Sequence, residues 1–186
     1  EWQDVLTAAV RDVLATPLDA PGGGALQLQQ VPKDKRLNEL EFVFPIEARA
    51  GGSASASTRQ LFTRSALADV FARHARDPVP AGYAEQLRRL PFAPLEGFLR
   101  GFIDMVFEHE GRFYLVDYKS NYLGASPADY AKDLLGAAMT HHDYVLQYHL
   151  YAVALHRYLG RRVPGYQYEE HFGGVFYLCV RGMAPE

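Results

Sequence analysis

Apolar residues recur at helical spacing from the first positions of the chain. Val5, Leu6, Ala9, Val10, Val13 and Leu14 fall on one side of a helix over Glu1 to Ala15. Pro17 and the run Pro21-Gly22-Gly23-Gly24 end it. Ala25 to Val31 alternates weakly and predicts a strand. Leu37 to Pro45 alternates more strongly, with Leu40, Phe42 and Phe44 on one face and Glu39, Glu41 and Val43 on the other. Small residues fill Ala48 to Thr58, as in a surface loop. Helical spacing returns over Arg59 to Ala75 through Leu61, Phe62, Leu67, Val70 and Phe71, and a short helix is expected over Tyr83 to Leu90.

The densest apolar pattern follows. Phe102-Ile103-Asp104-Met105-Val106-Phe107 and Phe113-Tyr114-Leu115-Val116-Asp117-Tyr118-Lys119 are two strand-like runs around the polar break Glu108 to Arg112. They predict a β-hairpin. Beyond it, Ser126-Pro127 is a good cap and first turn for a helix reaching Met139. His142 to Leu159 predicts a long helix with an aromatic stripe of Tyr144, Tyr148, Tyr151 and Tyr158. Gly173 to Arg181 predicts a last strand, which holds Cys179 as a core thiol.

Composition narrows the class. A length of 186 residues, with 48% hydrophobic and 22% charged, suits one domain with a sizeable core. No apolar run approaches a membrane span. A single cysteine excludes a disulfide framework and any four-cysteine metal site, and fits a reducing cytoplasm. The net charge of −3 argues against tight DNA binding by the chain alone. It leaves room for a chain whose charged substrate a partner delivers.

The hairpin carries the candidate chemistry. Asp117 and Lys119 are two apart and share a face. An even loop such as His109-Glu110 places Asp104 opposite Leu115, on that same face and diagonal to Asp117, about 7–8 Å away. An odd loop moves Asp104 to the other face and removes the site. Two carboxylates can share one hard cation. A lysine beside them can orient an attacking water or neutralise a phosphate. Val116 and Leu115 make the strand apolar on both faces, so its charges need partners or a task. Gln147 and Tyr151, four apart on the long helix, project from one side, and a buried Gln amide needs partners. Glu39 is a further candidate acid. His141-His142-Asp143 is a poor metal site, because adjacent loop residues rarely converge on one ion.

Taken in order, these segments carry a resemblance. Glu39-Leu40-Glu41-Phe42, Gly101-Phe102-Ile103-Asp104, Leu115-Val116-Asp117-Tyr118-Lys119-Ser120-Asn121, Leu146-Gln147-Tyr148-His149-Leu150-Tyr151 and His171-Phe172-Gly173-Gly174 are similar to the C-terminal nuclease domain of the RecB family of PD-(D/E)XK nucleases. The resemblance implies an α/β fold with a restriction-endonuclease-like core, a central mixed β-sheet flanked by helices. It implies a Mg²⁺-dependent DNA nuclease of recombinational repair, in which Mn²⁺ or Ca²⁺ can substitute in binding. Asp104 and Asp117 would be metal ligands, Tyr118 a ligand through its backbone carbonyl, and Lys119 the catalytic lysine. Gln147 and Tyr151 would support the site and contact DNA, and Glu39 matches an acid of the family pattern. The implied partners are DNA, RecC- and RecD-like subunits and the helicase part of a parent chain, with no membrane. The family also places a metal-binding His upstream of the segment matching Glu1. The resemblance therefore implies one nuclease domain over 1–186, trimmed at both ends. The alternative is a catalytically incomplete piece serving as a protein-interaction or DNA-holding module.

Overall fold

The first helix, α1 (Trp2–Ala15), forms where the spacing predicts it, and Thr16 closes it by bonding back to Asp12. Its apolar side is largely left in solvent: Trp2, Val5, Leu6 and Val10 are exposed, and Leu14 packs against the core. The structure is a computed structural model, and it describes residues 1–20, 25–46, 62–76, 79–91, 97–141 and 143–185. The small-residue loop expected over 48–58 lies outside them, as does His142.

The strand expected over Ala25 to Val31 is a correction. Only β2 (Ala25–Leu26) is extended, paired antiparallel with β1 (Leu18–Asp19). A 3-10 turn over Leu28–Gln30 then breaks the alternation, because Gln27 and Gln30 bond each other's backbone in a capping box. This turn buries Leu26, Leu28 and Val31 together.

The chain divides into two compact units, Glu1–Glu41 with Phe102–Glu186, and Phe42–Gly101. In the second unit, Thr63 caps α2 (Arg64–His74) by accepting from the Ala66 amide. The cap explains why the helix begins later than Arg59. Phe71 of α2 meets Tyr83 of α3 (Tyr83–Arg88) edge to face at 5.5 Å. Arg88 is ion-paired with Asp69 and Glu85.

The main sheet has strand order β3-β4-β5-β6, with β3 (Arg36–Ile46), β4 (Gly97–His109), β5 (Arg112–Lys119) and β6 (Phe172–Cys179). β4 and β5 are antiparallel and β5 and β6 are parallel, so the sheet is mixed. Helices α4 (Lys132–His141), α5 (Tyr144–Arg162) and α6 (Tyr168–His171) complete the first unit. Ser126 does form a capping box, but with Asp129 in a 3-10 turn over Pro127–Tyr130; α4 starts afterwards.

The hairpin turn is Glu110-Gly111, with φ of 51° and 77°. His109 pairs with Arg112, so the loop has two residues and both central positions are left-handed, as a type I′ turn requires. Nothing lies within 4 Å of where a Gly111 Cβ would stand. Gly111→Ala should therefore cost only the backbone penalty, about 1–2 kcal/mol. Urea unfolding would measure it, and an unchanged midpoint would mean that the turn is not as described.

The β4–β5 register places Met105 against Val116 and Phe107 against Tyr114. These four side chains face Leu18, Leu26, Leu28, Val31 and Leu178 in one buried cluster. Rings of Phe107, Tyr114 and Phe176 stack at 5.1–6.3 Å within it. In β6 the pairing jumps from Phe113↔Phe172 to Tyr114↔Gly174, leaving Gly173 as an extra residue. A Cβ on Gly173 would clash with the Tyr114 ring, so only glycine lets that ring lie flat.

Candidate active site

Extending the hairpin register by one pair sets Asp104 directly opposite Asp117. The expected parity holds, and the expected position does not: the loop is Glu110-Gly111 rather than His109-Glu110, so the two acids face each other instead of lying diagonally. Directly opposed Cβ atoms are about 4.5–5.5 Å apart. The ladder also opens here. The Tyr118 amide donates to Asp104 Oδ2 at 2.7 Å, which pins that carboxylate at the end of the strand pair.

Asp117 is 4% exposed, the one charged residue among the buried described residues. Its Oδ2 lies 2.6 Å from Lys119 Nζ, but no described donor meets that oxygen with hydrogen-bond alignment. Burial pushes the Asp117 carboxyl above its ordinary range; Lys119 opposes the shift and the Asp104 charge adds to it. Two facing carboxylates against the one Lys119 ammonium are a donor set short of positive charge. A hard divalent cation fits it, because Mg²⁺ takes one or two carboxylates and completes its shell with phosphate and water.

Lys119 is held on every side. Its ammonium donates to Gln147 Oε1 at 2.8 Å, and it lies 4.1 Å from the Tyr144 ring centre and 5.0 Å from that of Tyr177. Tyr177 also donates to Gln147 Oε1, at 3.0 Å, and Gln147 Nε2 donates to the Tyr151 hydroxyl at 2.8 Å. Tyr144 in turn donates to Asn121 Oδ1 at 2.9 Å. Burial pushes the phenols of Tyr151 and Tyr177 upward, with the charge of Asp117 contributing, so both stay protonated, Tyr177 as a donor to Gln147 and Tyr151 as the acceptor of its amide. The Gln147 amide thus has the partners that its place in an aromatic stripe demanded.

The remaining sequence candidates separate. Glu39 is exposed, adopts φ of 53°, and lines one cavity with Asp104 and Tyr118. His149 bonds the Val145 carbonyl on its own helix, and His156 and His171 sit around the Tyr166 ring. Among the described residues no three His, Cys, Asp or Glu side chains converge on one point. Sequence reasoning missed Tyr144, Tyr177 and Asn121. Tyr144 was recoverable, standing three before Gln147 on the same helix face. Tyr177 reaches the site only through the β5–β6 register, which opposes it to Asp117.

A mixed sheet carrying an Asp/Asp/Lys group at the open end of a hairpin is the arrangement expected of the nuclease class that the sequence resembles. The model of the PD-(D/E)XK nuclease superfamily matches residues 23–185, and the chain belongs to that family. Nucleases of this superfamily generally use divalent metal ions. Similar curated proteins are the RecBCD enzyme subunit RecB of Escherichia coli, 41% identical across 100% of this chain, and that of Mycolicibacterium smegmatis, 43% identical across 96% of it. The Mycobacterium tuberculosis protein of the same name is 42% identical across 96% of the chain. The chain spans only 14–17% of the length of these relatives. No helix among the described residues is long and apolar enough to cross a membrane.

Proposed function

We propose that this chain is the nuclease part of a RecBCD-type helicase–nuclease, hydrolysing DNA phosphodiester bonds with Mg²⁺. The observation that carries the reading is the direct opposition of Asp104 and the buried Asp117, with the Lys119 ammonium beside them. Asp104, Asp117 and the Tyr118 carbonyl are the groups that would hold the ion. When bound, the ion supplies Lewis-acid polarisation of the phosphate and a more acidic water. Lys119 holds that water by a hydrogen bond and offers positive charge to the oxygens on which charge develops. Gln147 and Tyr177 fix the ammonium, so little reorganisation is needed as the bond breaks. The net charge of −3 fits DNA delivered by a helicase portion and by RecC- and RecD-like subunits rather than captured by this chain.

Lys119→Gln in the full-length protein should lower kcat for cleavage of a labelled oligonucleotide about 100-fold, the scale for losing one preorganised electrostatic contact. Calorimetric Mn²⁺ binding should persist. A parental cleavage rate in that variant removes Lys119 from the mechanism. A second reading, a DNA-holding module, draws on the absence of a three-ligand cluster among the described residues. It requires that the full-length protein give no heat on Mn²⁺ titration and no cleavage with Mg²⁺.

A further inference from the structure

The groups around the Lys119 ammonium divide into one that is charged and several that are not. Asp117 Oδ2, 2.6 Å away, belongs to the one carboxylate paired with it among the described residues. Gln147 Oε1 accepts from it at 2.8 Å, but the same oxygen also accepts from the Tyr177 hydroxyl at 3.0 Å. The remaining contacts are ring faces. The Tyr144 and Tyr177 rings, tilted 45° to each other with centres 5.8 Å apart, make an aromatic corner, and the ammonium sits nearer to Tyr144 than to Tyr177.

These two kinds of partner serve the lysine differently. A carboxylate engaged with a hard cation no longer offers its full charge to a neighbouring ammonium. A ring face attracts the ammonium through its quadrupole, yet it is no ligand for a hard cation. It also takes up no N–H group along a lone pair, so the ammonium's three donors stay available to water and phosphate. Tyr144 is the nearer ring, and its tip is fixed from outside the Gln147 network. Its hydroxyl donates to Asn121 Oδ1 at 2.9 Å. Asn121 stands two residues beyond the end of β5, and Tyr144 is the first residue of α5. That bond therefore ties the strand carrying Asp117 and Lys119 to the helix carrying Gln147.

We propose that Tyr144, oriented by Asn121, is a positioning residue for Lys119, whose ring face keeps the ammonium in its working place once Asp117 is engaged elsewhere. The assignment rests on the nuclease reading above and adds to it a device that holds the lysine without a second negative charge. Tyr144 acts through Lys119 and touches no reacting atom. Its contribution lies in the electron density of its ring face, and the bond to Asn121 sets only the direction of that face.

The test replaces Tyr144 in the full-length protein with phenylalanine and with phenylalanines bearing one, two or three ring fluorines. Shape is nearly constant through this series, while each fluorine withdraws density from the ring face. With Mg²⁺ and a labelled oligonucleotide, log kcat should fall stepwise with fluorine number, by about tenfold across the series, the scale of one partly desolvated cation–π contact. KM should change by less than about twofold, because substrate binding does not use the ring. Adding Asn121→Ala to Tyr144→Phe should cause no further loss of kcat, since the bond that links them is already gone; an additive loss removes Asn121 from the device. A second readout needs neither metal nor cleavage: trace labelling with acetic anhydride, read by mass spectrometry, should show Lys119 acetylation rising with fluorine number relative to Lys35. A kcat that stays flat across the series in a cleaving protein overturns the positioning role and leaves the nuclease reading standing. If the parental protein does not cleave while Lys119 labelling tracks the fluorines, the ring contact stands and the nuclease reading falls. Flat labelling in a protein that does not cleave overturns both.

Discussion

Asp117→Ala in the full-length protein should lower DNA cleavage by about 1,000-fold or more while leaving strand unwinding near its parental rate. The size follows from what the carboxylate does in the proposed site. Anchoring a catalytic cation contributes several kcal/mol of charge stabilisation in the transition state, and each 1.36 kcal/mol is tenfold in rate. The structure adds a reason why this acid should matter beyond its charge. Asp117 is buried, its ionised form is disfavoured by burial and by Asp104, and its Oδ2 is not aligned with any described donor. A carboxylate retained under those conditions has a use outside the resting fold. Removing it also strands the Lys119 ammonium, whose side chain is only 11% exposed, so a folding defect could imitate a catalytic one. Asp117→Asn keeps the shape and should lose cleavage equally, with unwinding as the control. Nuclease activity that persists in both variants defeats the assignment.

Phe107→Ala should destabilise the chain by about 3–5 kcal/mol, the usual range for emptying a buried phenylalanine site. Phe107 is 1% exposed and stacks on Tyr114 at 5.1 Å and Phe176 at 6.3 Å, so its ring joins three adjacent strands. The surrounding rings belong to a sheet whose hydrogen bonds resist collapse, which keeps the cavity open. The midpoint of urea unfolding should fall accordingly, and Phe107→Leu should recover most of the loss. A decrease below 1 kcal/mol, on the order of a surface substitution, would mean that this aromatic layer is not the core of the sheet.

Much of this arrangement was legible in sequence because it is local. The hairpin, the alternation of Leu40, Phe42 and Phe44, and the pairing of Gln147 with Tyr151 depend on periodicity alone. Even the shared face of Asp104 and Asp117 required only loop parity, although the turn sits one residue later than the His109-Glu110 loop used to set the register. What was hidden depends on non-local partners. Residues 25–31 look like a strand, yet two glutamine side chains bonding backbone convert them to a turn. The α1 pattern predicts a buried stripe, and burial needs a neighbour that no pattern reveals. Tyr177 resembles any strand tyrosine until the parallel register brings it to Gln147.

The extra residue at Gly173 has a further consequence. Because the pairing slips there, the five positions from Gly173 to Tyr177 act as a ruler from the bulge to the Lys119 network. Deleting one residue from this stretch would turn Tyr177 away and bring Leu178 to its position, which cannot donate to Gln147. Insertions elsewhere in the chain can be absorbed by loops. This segment tolerates changes of residue type but not of count, so related chains that keep the lysine network should align here without a gap.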